Sequence, residues 1–180
     1  MDVTYRPIGV LHSPFRDLSE MPIQPTSRAS AAGTAEIFAE YAEGLRDLAG
    51  FSHVILLYHL HRVRRAQLTV VPFLGSEPRG VFATRAPARP NPIGLSIVSL
   101  LRIEGCTLHL GHVDILDGTP LLDLKPYVPE FDAHPSSKAG WFDACGVDRR
   151  IADGRFHEAE VPNDGEPPRG ASRRRKSRDA

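Results

Sequence analysis

Sixteen prolines and fifteen glycines are spread through the 180 residues and cut the chain into short stretches. Proline fixes φ and removes a backbone donor, and glycine weakens helices and strands alike, so such interruptions end elements early. Most of the stretches between them read as strands: Tyr5 to His12, Thr34 to Phe38, the strongly apolar Phe51 to His61, Leu68 to Val71, Gly80 to Thr84, Leu95 to Ile103, Thr107 to Val113 and Leu121 to Tyr127. Arg155 to Val161 would close the set. Only Tyr41 to Leu48 has helical spacing, with Tyr41, Leu45 and Leu48 one turn apart and Gly50 as the stop. Many short strands and one helix predict a mainly β chain, a small antiparallel β-barrel with one or two short helices. Arg16 to Gly33, rich in Ser, Pro, Ala and Thr, is expected to be a long loop, and such loops in compact domains are often functional.

Several function classes drop out on composition. The longest apolar run, Val54 to Tyr58, has five residues, against the roughly 20 a bilayer span requires. The first residues, Met1 to Arg6, lack the order of a secretion signal, and two cysteines, Cys106 and Cys145, make neither a disulfide scaffold nor a CxxC site. A soluble cytoplasmic protein without a membrane partner is the expectation. The net charge of zero hides an asymmetry: Arg169 to Ala180 hold six basic side chains and one acid, leaving 16 basic against 21 acidic residues in the body. Affinity for nucleic acid must therefore come from a local patch or from this tail, which is otherwise a solvated, disordered end. One domain over residues 1–162 and a basic tail over 163–180 is the predicted organisation.

Familiar catalytic motifs are missing. No two glycines stand two apart, so there is no GxG phosphate loop, and GxxxxGK[ST], HExxH and GxSxG are also absent. His59 and His61 alternate onto one strand face, and His109 and His112 are near in sequence. However, Arg62-Val63-Arg64-Arg65 puts positive charge where a carboxylate ligand would be wanted. These histidines are read as ordinary hydrogen-bonded side chains, and no metal is expected.

Two segments carry the signal. In Gly80-Val81-Phe82-Ala83-Thr84-Arg85-Ala86-Pro87-Ala88-Arg89-Pro90-Asn91-Pro92-Ile93-Gly94, three prolines stiffen a loop bearing two arginines, whose guanidinium groups then lose less entropy on binding. In Asp114-Ile115-Leu116-Asp117-Gly118-Thr119-Pro120-Leu121-Leu122-Asp123-Leu124-Lys125-Pro126-Tyr127, a tight turn precedes a strand. Period-2 alternation places Leu121, Asp123, Lys125 and Tyr127 on one face, with Leu122 and Leu124 on the other. The polar row is either a structural ion pair or a positioned acid/base set.

Both segments, together with Ile8-Gly9-Val10-Leu11-His12-Ser13-Pro14-Phe15 and Gly44-Leu45-Arg46-Asp47-Leu48-Ala49-Gly50-Phe51-Ser52-His53, resemble the TsaA/TrmO-type tRNA methyltransferases from about Tyr5 to Phe131. The resemblance implies a small β-barrel that works as a homodimer and binds S-adenosyl-L-methionine. It also implies methyl transfer to the exocyclic nitrogen of threonylcarbamoyl-adenosine beside the anticodon of certain tRNAs. Carried over residue by residue, it assigns the cofactor to Pro25, Thr26, Ser27, His61, Arg62, Arg85, Leu95, Asp114, Ile115, Leu116 and Asp117.

A urea-like nitrogen is a poor nucleophile, so Asp123 or Tyr127, with Lys125 beside them, is the expected base. Phosphate contacts to RNA are expected from Arg89 and from Arg173, Arg174, Arg175 and Lys176. Longer bacterial relatives of this type carry a further C-terminal domain, whereas about fifty residues follow the motif here. Two alternatives share the cofactor: methylation of a different acceptor, and a non-enzymatic sensor of S-adenosylmethionine. A sensor would not need the row at Asp123, Lys125 and Tyr127.

Overall fold

Alternating side chains give β3 (His53–His59) a dry face and a wet one: Val54, Leu56 and Tyr58 are buried, and Ile55 and Leu57 between them are half covered. The same period directs Ser96, Val98 and Leu100 inward from β6 (Ile93–Glu104), and Leu108 and Leu110 inward from β7 (Thr107–Val113), where His112 at φ 60° breaks the alternation before the buried Val113. In the computed structural model, which describes residues 1–17, 31–72 and 75–144, these strands join β1 (Gly9–His12), β2 (Ala31–Ile37) and β8 (Thr119–Pro126). The six close into an antiparallel barrel in the order β1-β2-β7-β6-β3-β8, with β8 pairing back onto β1. Closure leaves no open edge. Burying one Leu or Val side chain contributes roughly 1.5–3 kcal/mol, so the inward layer of Leu11, Leu56, Leu108, Leu110 and Leu121 dominates the core. A separate ladder, β4 (Thr69–Val70) with β5 (Arg79–Gly80), lies in the long β3–β6 connection. No helix among the described residues is long and apolar enough to cross a membrane.

Three local expectations are corrected. Tyr41 to Leu48 is not one α-helix but a 3-10 turn at Ala39–Leu45 and a second at Leu48–Gly50, with Asp47 at φ 65° between them. Only Leu48 of the supposed apolar stripe is buried, so no packed face holds an α-helix together. Gly80 to Thr84 is not a strand either: pairing ends at Gly80, and Val81–Ala83 form a 3-10 turn closed by the Thr84 hydroxyl donating to Val81 O at 2.9 Å.

The third correction concerns β8. Leu57 pairs with Asp123 and Tyr58 with Leu121, so Leu122 is an extra residue, a β-bulge that breaks the alternation. Leu121 faces the core and Leu124 packs against it, whereas Asp123 and Lys125 lie on the outer wall. Arg155 to Val161 and the basic tail lie outside the described residues.

Candidate active site

Three connections leave the barrel at one end, and the 3-10 turns of residues 38–52 lie at the other. The chain exits at the first end after His12, His59 and Val113 and re-enters at Ala31, Ile93 and Thr119, so the described residues 13–17, 60–72, 75–92 and 114–118 form a common rim. The rim is built around Asp114, the first residue past β7. Tyr58 and Ser96, both inward-facing, reach up from β3 and β6 toward it: Tyr58 Oη lies 3.0 Å from Ser96 Oγ, and Ser96 Oγ donates to Asp114 Oδ1 at 2.8 Å. Because the Ser96 proton is used on the carboxylate, the phenol must donate to Ser96, giving a relay Tyr58→Ser96→Asp114. Burial pushes the Asp114 pKa up from 3.8 to about 6, against the Ser96 hydroxyl, its own backbone amide and the Arg85 charge, which all lower it. Burial, followed by the charge of Asp114, raises the phenol of Tyr58 well above its ordinary value. The relay fits because β6 offers only glycine beneath the tyrosine ring.

The rest of the DxxDG turn is anchored to β1 and to His61. Asp117 Oδ1 accepts from the Ser13 amide at 3.2 Å and lies 3.3 Å from His12 Nδ1, while Ser13 Oγ donates to Ile115 O at 2.6 Å. Thr119 Oγ1 donates to Leu116 O at 2.7 Å, so His61 Nδ1, 3.4 Å away, is placed to be the donor to Thr119. Burial, then the Arg62 and His59 charges, lower the His61 pKa and keep its ring neutral at neutral pH. Ile115 and Leu116 are buried at 1% and 6% exposure, so what they present to a ligand is backbone.

The structure thus gathers His61, Arg85 and the turn Asp114–Asp117 at the rim and leaves Arg62 exposed beside them. Leu95 stands elsewhere, on the outer wall, 47% exposed and paired with Leu57. Leu57 in turn pairs with Asp123, so Leu95, Leu57 and Asp123 make one row across β6, β3 and β8. Lys125 Nζ sits 2.7 Å from Asp123 Oδ2, a partly exposed pair whose own stabilisation is about 1 kcal/mol at most. Tyr127 donates its amide to His53 O at 3.1 Å and meets the His53 ring edge-on at 6.3 Å.

Arg89 is occupied within its loop: Nη1 donates to Val81 O and Thr84 O at 3.1 and 2.9 Å, and the guanidinium lies over Phe82. Pro25, Thr26, Ser27, Arg173, Arg174, Arg175 and Lys176 lie outside the described residues. Among the described residues no group of three or more His, Cys, Asp or Glu side chains is placed to hold a metal ion.

Sequence reasoning missed Tyr58, Ser96 and Gly94. Their signal is a small or polar residue at an inward position of an apolar strand, which becomes visible only once the inward face is known. Trp141, for which the sequence suggested a partner strand or a packing position, packs in a 3-10 turn. The indole Nε1 donates to Ala83 O at 2.7 Å and the ring lies 4.7 Å from the Arg79 guanidinium, tying the last described turn to the segment just before Arg85.

Against this geometry stand the comparisons with known proteins. The family model for the tRNA-methyltransferase O N-terminal domain matches residues 10–133. The chain belongs to this family. Trp141 lies past the matched segment. A probable S-adenosyl-L-methionine-binding protein of Pyrococcus abyssi is 51% identical over 156 residues, covering 86% of this chain and 85% of the relative. The tRNA (adenine(37)-N6)-methyltransferase of Escherichia coli is 39% identical over 147 residues, 76% of this chain but only 63% of that enzyme. The crystal structure of TrmO from Pseudomonas aeruginosa superposes with a TM-score of 0.66 at 39% identity, over 78% of this chain and 63% of the other. The match extends to the fold as well as to the residues.

Proposed function

We propose that this TrmO-family chain is an S-adenosylmethionine-dependent tRNA methyltransferase, active as a homodimer on the exocyclic nitrogen of threonylcarbamoyl-adenosine. The observation that carries the reading is the buried Asp114 carboxylate, held by Ser96 at the barrel end where Arg85 also stands. Asp114 and Arg85 stand at the rim, and the row Leu95–Leu57–Asp123 runs from β6 to the one strand bearing a carboxylate–ammonium pair.

The rim residues fit the cofactor chemically. A carboxylate withdrawn from water suits a sulfonium cation, Arg85 suits an amino-acid carboxylate, and the carbonyls and amides of the DxxDG turn and His61 suit polar groups between them. When bound, the cofactor supplies a methyl group activated by the sulfonium charge. The chain's own residues then have three tasks. Asp114 and Arg85 orient the two ends of the ligand, so positioning contributes more than covalent chemistry. Asp123 accepts the proton of the acceptor N–H, with Lys125 holding the carboxylate in place and Tyr127 in reach as the second candidate. A second copy laid over the apolar outer wall would keep water from the transfer.

Homodimer formation is supported by that wall. Ile93, Leu95 and Ile97 of β6 are 40%, 47% and 40% exposed, an apolar row that a second copy would cover, and Leu101 beyond Ser99 is 59% exposed. Ile97→Glu is expected to shift the protein to monomer in light-scattering chromatography; an unchanged mass would place the dimer contact elsewhere.

The activity is tested with radiolabelled S-adenosylmethionine and tRNA from cells with and without the threonylcarbamoyl modification. Label is expected on the modified tRNA alone. Asp123→Asn should lower kcat by about 100-fold, the usual scale for a general base, with calorimetric cofactor affinity retained. If Asp123→Asn and Tyr127→Phe both turn over like wild type, neither is the base. Cofactor binding without label on either tRNA would support another acceptor or the sensor reading.

A further inference from the structure

Phe82 is 75% exposed, more than any other large apolar side chain of the described residues except the terminal Met1. It stands on the 3-10 turn Val81–Ala83, three residues before Arg85. A lone exposed apolar side chain is ordinary on a protein surface. Phe82 differs in being held. Val81 beside it is buried at 1% exposure and donates its amide to Leu68 O at 2.9 Å. The Thr84 amide and hydroxyl close the turn on Val81 O at 3.1 and 2.9 Å, and the Trp141 indole donates to Ala83 O at 2.7 Å. The backbone on both sides of the phenylalanine is therefore fixed before anything binds.

One side of the ring is also occupied. Arg89 Nη1 donates to Val81 O and Thr84 O, and this holds the guanidinium 5.7 Å from the Phe82 ring centroid, within cation–π range. With that side backed by a fixed cation, the exposure of the side chain belongs to the opposite face. A flat apolar ring with one face backed and the other open suits a nucleobase, because every base has a π-face to stack. The setting favours the same occupant. Residues 60–92, the connection that carries Phe82, hold six arginines and one acid, Glu77, so a polyanion is drawn to this edge. A two-fold contact through Phe82 would instead set that basic edge against its own copy. Nor is Phe82 part of the apolar row on β6, which lies on the outer wall of the barrel.

We propose that Phe82 is a stacking platform for a nucleobase of the RNA substrate, beside the cofactor rim. This rests on the tRNA methyltransferase reading. Single-stranded loops offer bases that can leave their own stack, and an aromatic side chain replaces the contact they lose. A base held on Phe82 would keep its neighbour in the loop at the rim, adding affinity without reading sequence.

The test compares full-length wild type with Phe82→Ala, Phe82→Leu and Phe82→Trp. Binding of threonylcarbamoyl-modified tRNA is measured by fluorescence anisotropy across a salt series, beside calorimetry with S-adenosylmethionine, light-scattering chromatography and steady-state methyl transfer. Phe82→Ala and Phe82→Leu are expected to lose about 5- to 100-fold in tRNA affinity, with the log–log salt slope unchanged because stacking releases no counterions. The loss should appear in KM for tRNA more than in kcat. Phe82→Trp should bind at least as tightly as wild type, and its added tryptophan emission should be quenched when tRNA binds. Cofactor affinity, mass and melting midpoint should match wild type in all three variants.

Wild-type tRNA affinity in Phe82→Ala, or in Phe82→Leu, overturns the proposal, the second because an aliphatic side chain would then serve as well as a ring. A lowered salt slope would assign the loss to displaced phosphate contacts, and a drop in cofactor affinity or in mass would assign the ring to the cofactor or to a second copy; each overturns the platform. Phe82-dependent tRNA binding by a protein that transfers no methyl group supports the platform and overturns the catalytic reading. Wild-type methyl transfer by Phe82→Ala at limiting tRNA does the reverse. A wild-type protein that binds no tRNA overturns both.

Discussion

Gly94→Ala is expected to lower stability by about 3 kcal/mol, the upper end of what overpacking a tight core costs. A Cβ at this position would sit 2.1 Å from Tyr58 Cε2 and 2.5 Å from Tyr58 Cζ. The ring cannot retreat, because it is buried and its hydroxyl is held by Ser96, so the β-carbon displaces the tyrosine and opens the Tyr58–Ser96–Asp114 relay as well. Thermal unfolding followed by circular dichroism should show a midpoint lower by about 10 °C, with cofactor affinity reduced in the fraction that remains folded. Gly111→Ala is the control, since a β-carbon there meets only ordinary contacts at 3.5 Å and should cost less than about 1 kcal/mol. Equal losses at both positions would mean that the Tyr58 ring does not decide the effect.

Asp114→Asn is expected to stabilise the protein while weakening it as a cofactor binder. The folded-state pKa of about 6 lies above the reference value of 3.8, so between pH 4 and 6 the folded chain holds a proton that the unfolded chain has released. Stability therefore falls as pH rises through this window, and the gap corresponds to about 3 kcal/mol once the carboxylate is fully charged. Asparagine removes that dependence. Part of the gain is lost because the Ser96 hydroxyl then donates to a neutral amide, leaving a net gain of about 1–2 kcal/mol at pH 7.5. Below pH 4, where the wild-type carboxyl is protonated in both states, the variant should be the less stable of the two by the remaining ~1–2 kcal/mol.

In the proposed site the same substitution removes the anion meant for the sulfonium, so affinity for S-adenosylmethionine should drop by roughly 10- to 100-fold at pH 7.5. In the wild type, affinity should decline as pH falls below about 6, with about three-quarters of a proton released on binding at pH 5.5. Calorimetry in buffers of different ionisation enthalpy reads that proton. An Asp114→Asn protein that binds as tightly as wild type would remove Asp114 from the cofactor site.

Much of the architecture was legible along the chain because a β-barrel is written in period-2 alternation and punctuation. β7 was placed residue for residue at Thr107–Val113, and β3 and β6 within two residues at each end, because long apolar alternation is a local signal. The failures have physical causes too. Of the helical spacing at Tyr41, Leu45 and Leu48, only Leu48 is fully buried and Leu45 packs only partly against the core, and with so little burial the segment settles into 3-10 turns. Alternation through Leu121, Asp123 and Lys125 holds only for a regular strand, and the bulge at Leu122 turns Leu121 into the core while the charged pair stays outside.

Chemistry followed the same division. The residue types of the candidate site, two arginines on a proline-stiffened loop, the DxxDG turn and the Asp123–Lys125 row, were visible in sequence because stiff turns and polar breaks in apolar strands are local features. Their grouping was not. Only barrel closure brings residues 60–72, 75–92 and 114–118 to one rim and lines Leu95 and Asp123 up on either side of Leu57. Burial beneath Ser96 and Tyr58 then sets the charge state of Asp114, and desolvation depends on neighbours contributed by three different strands.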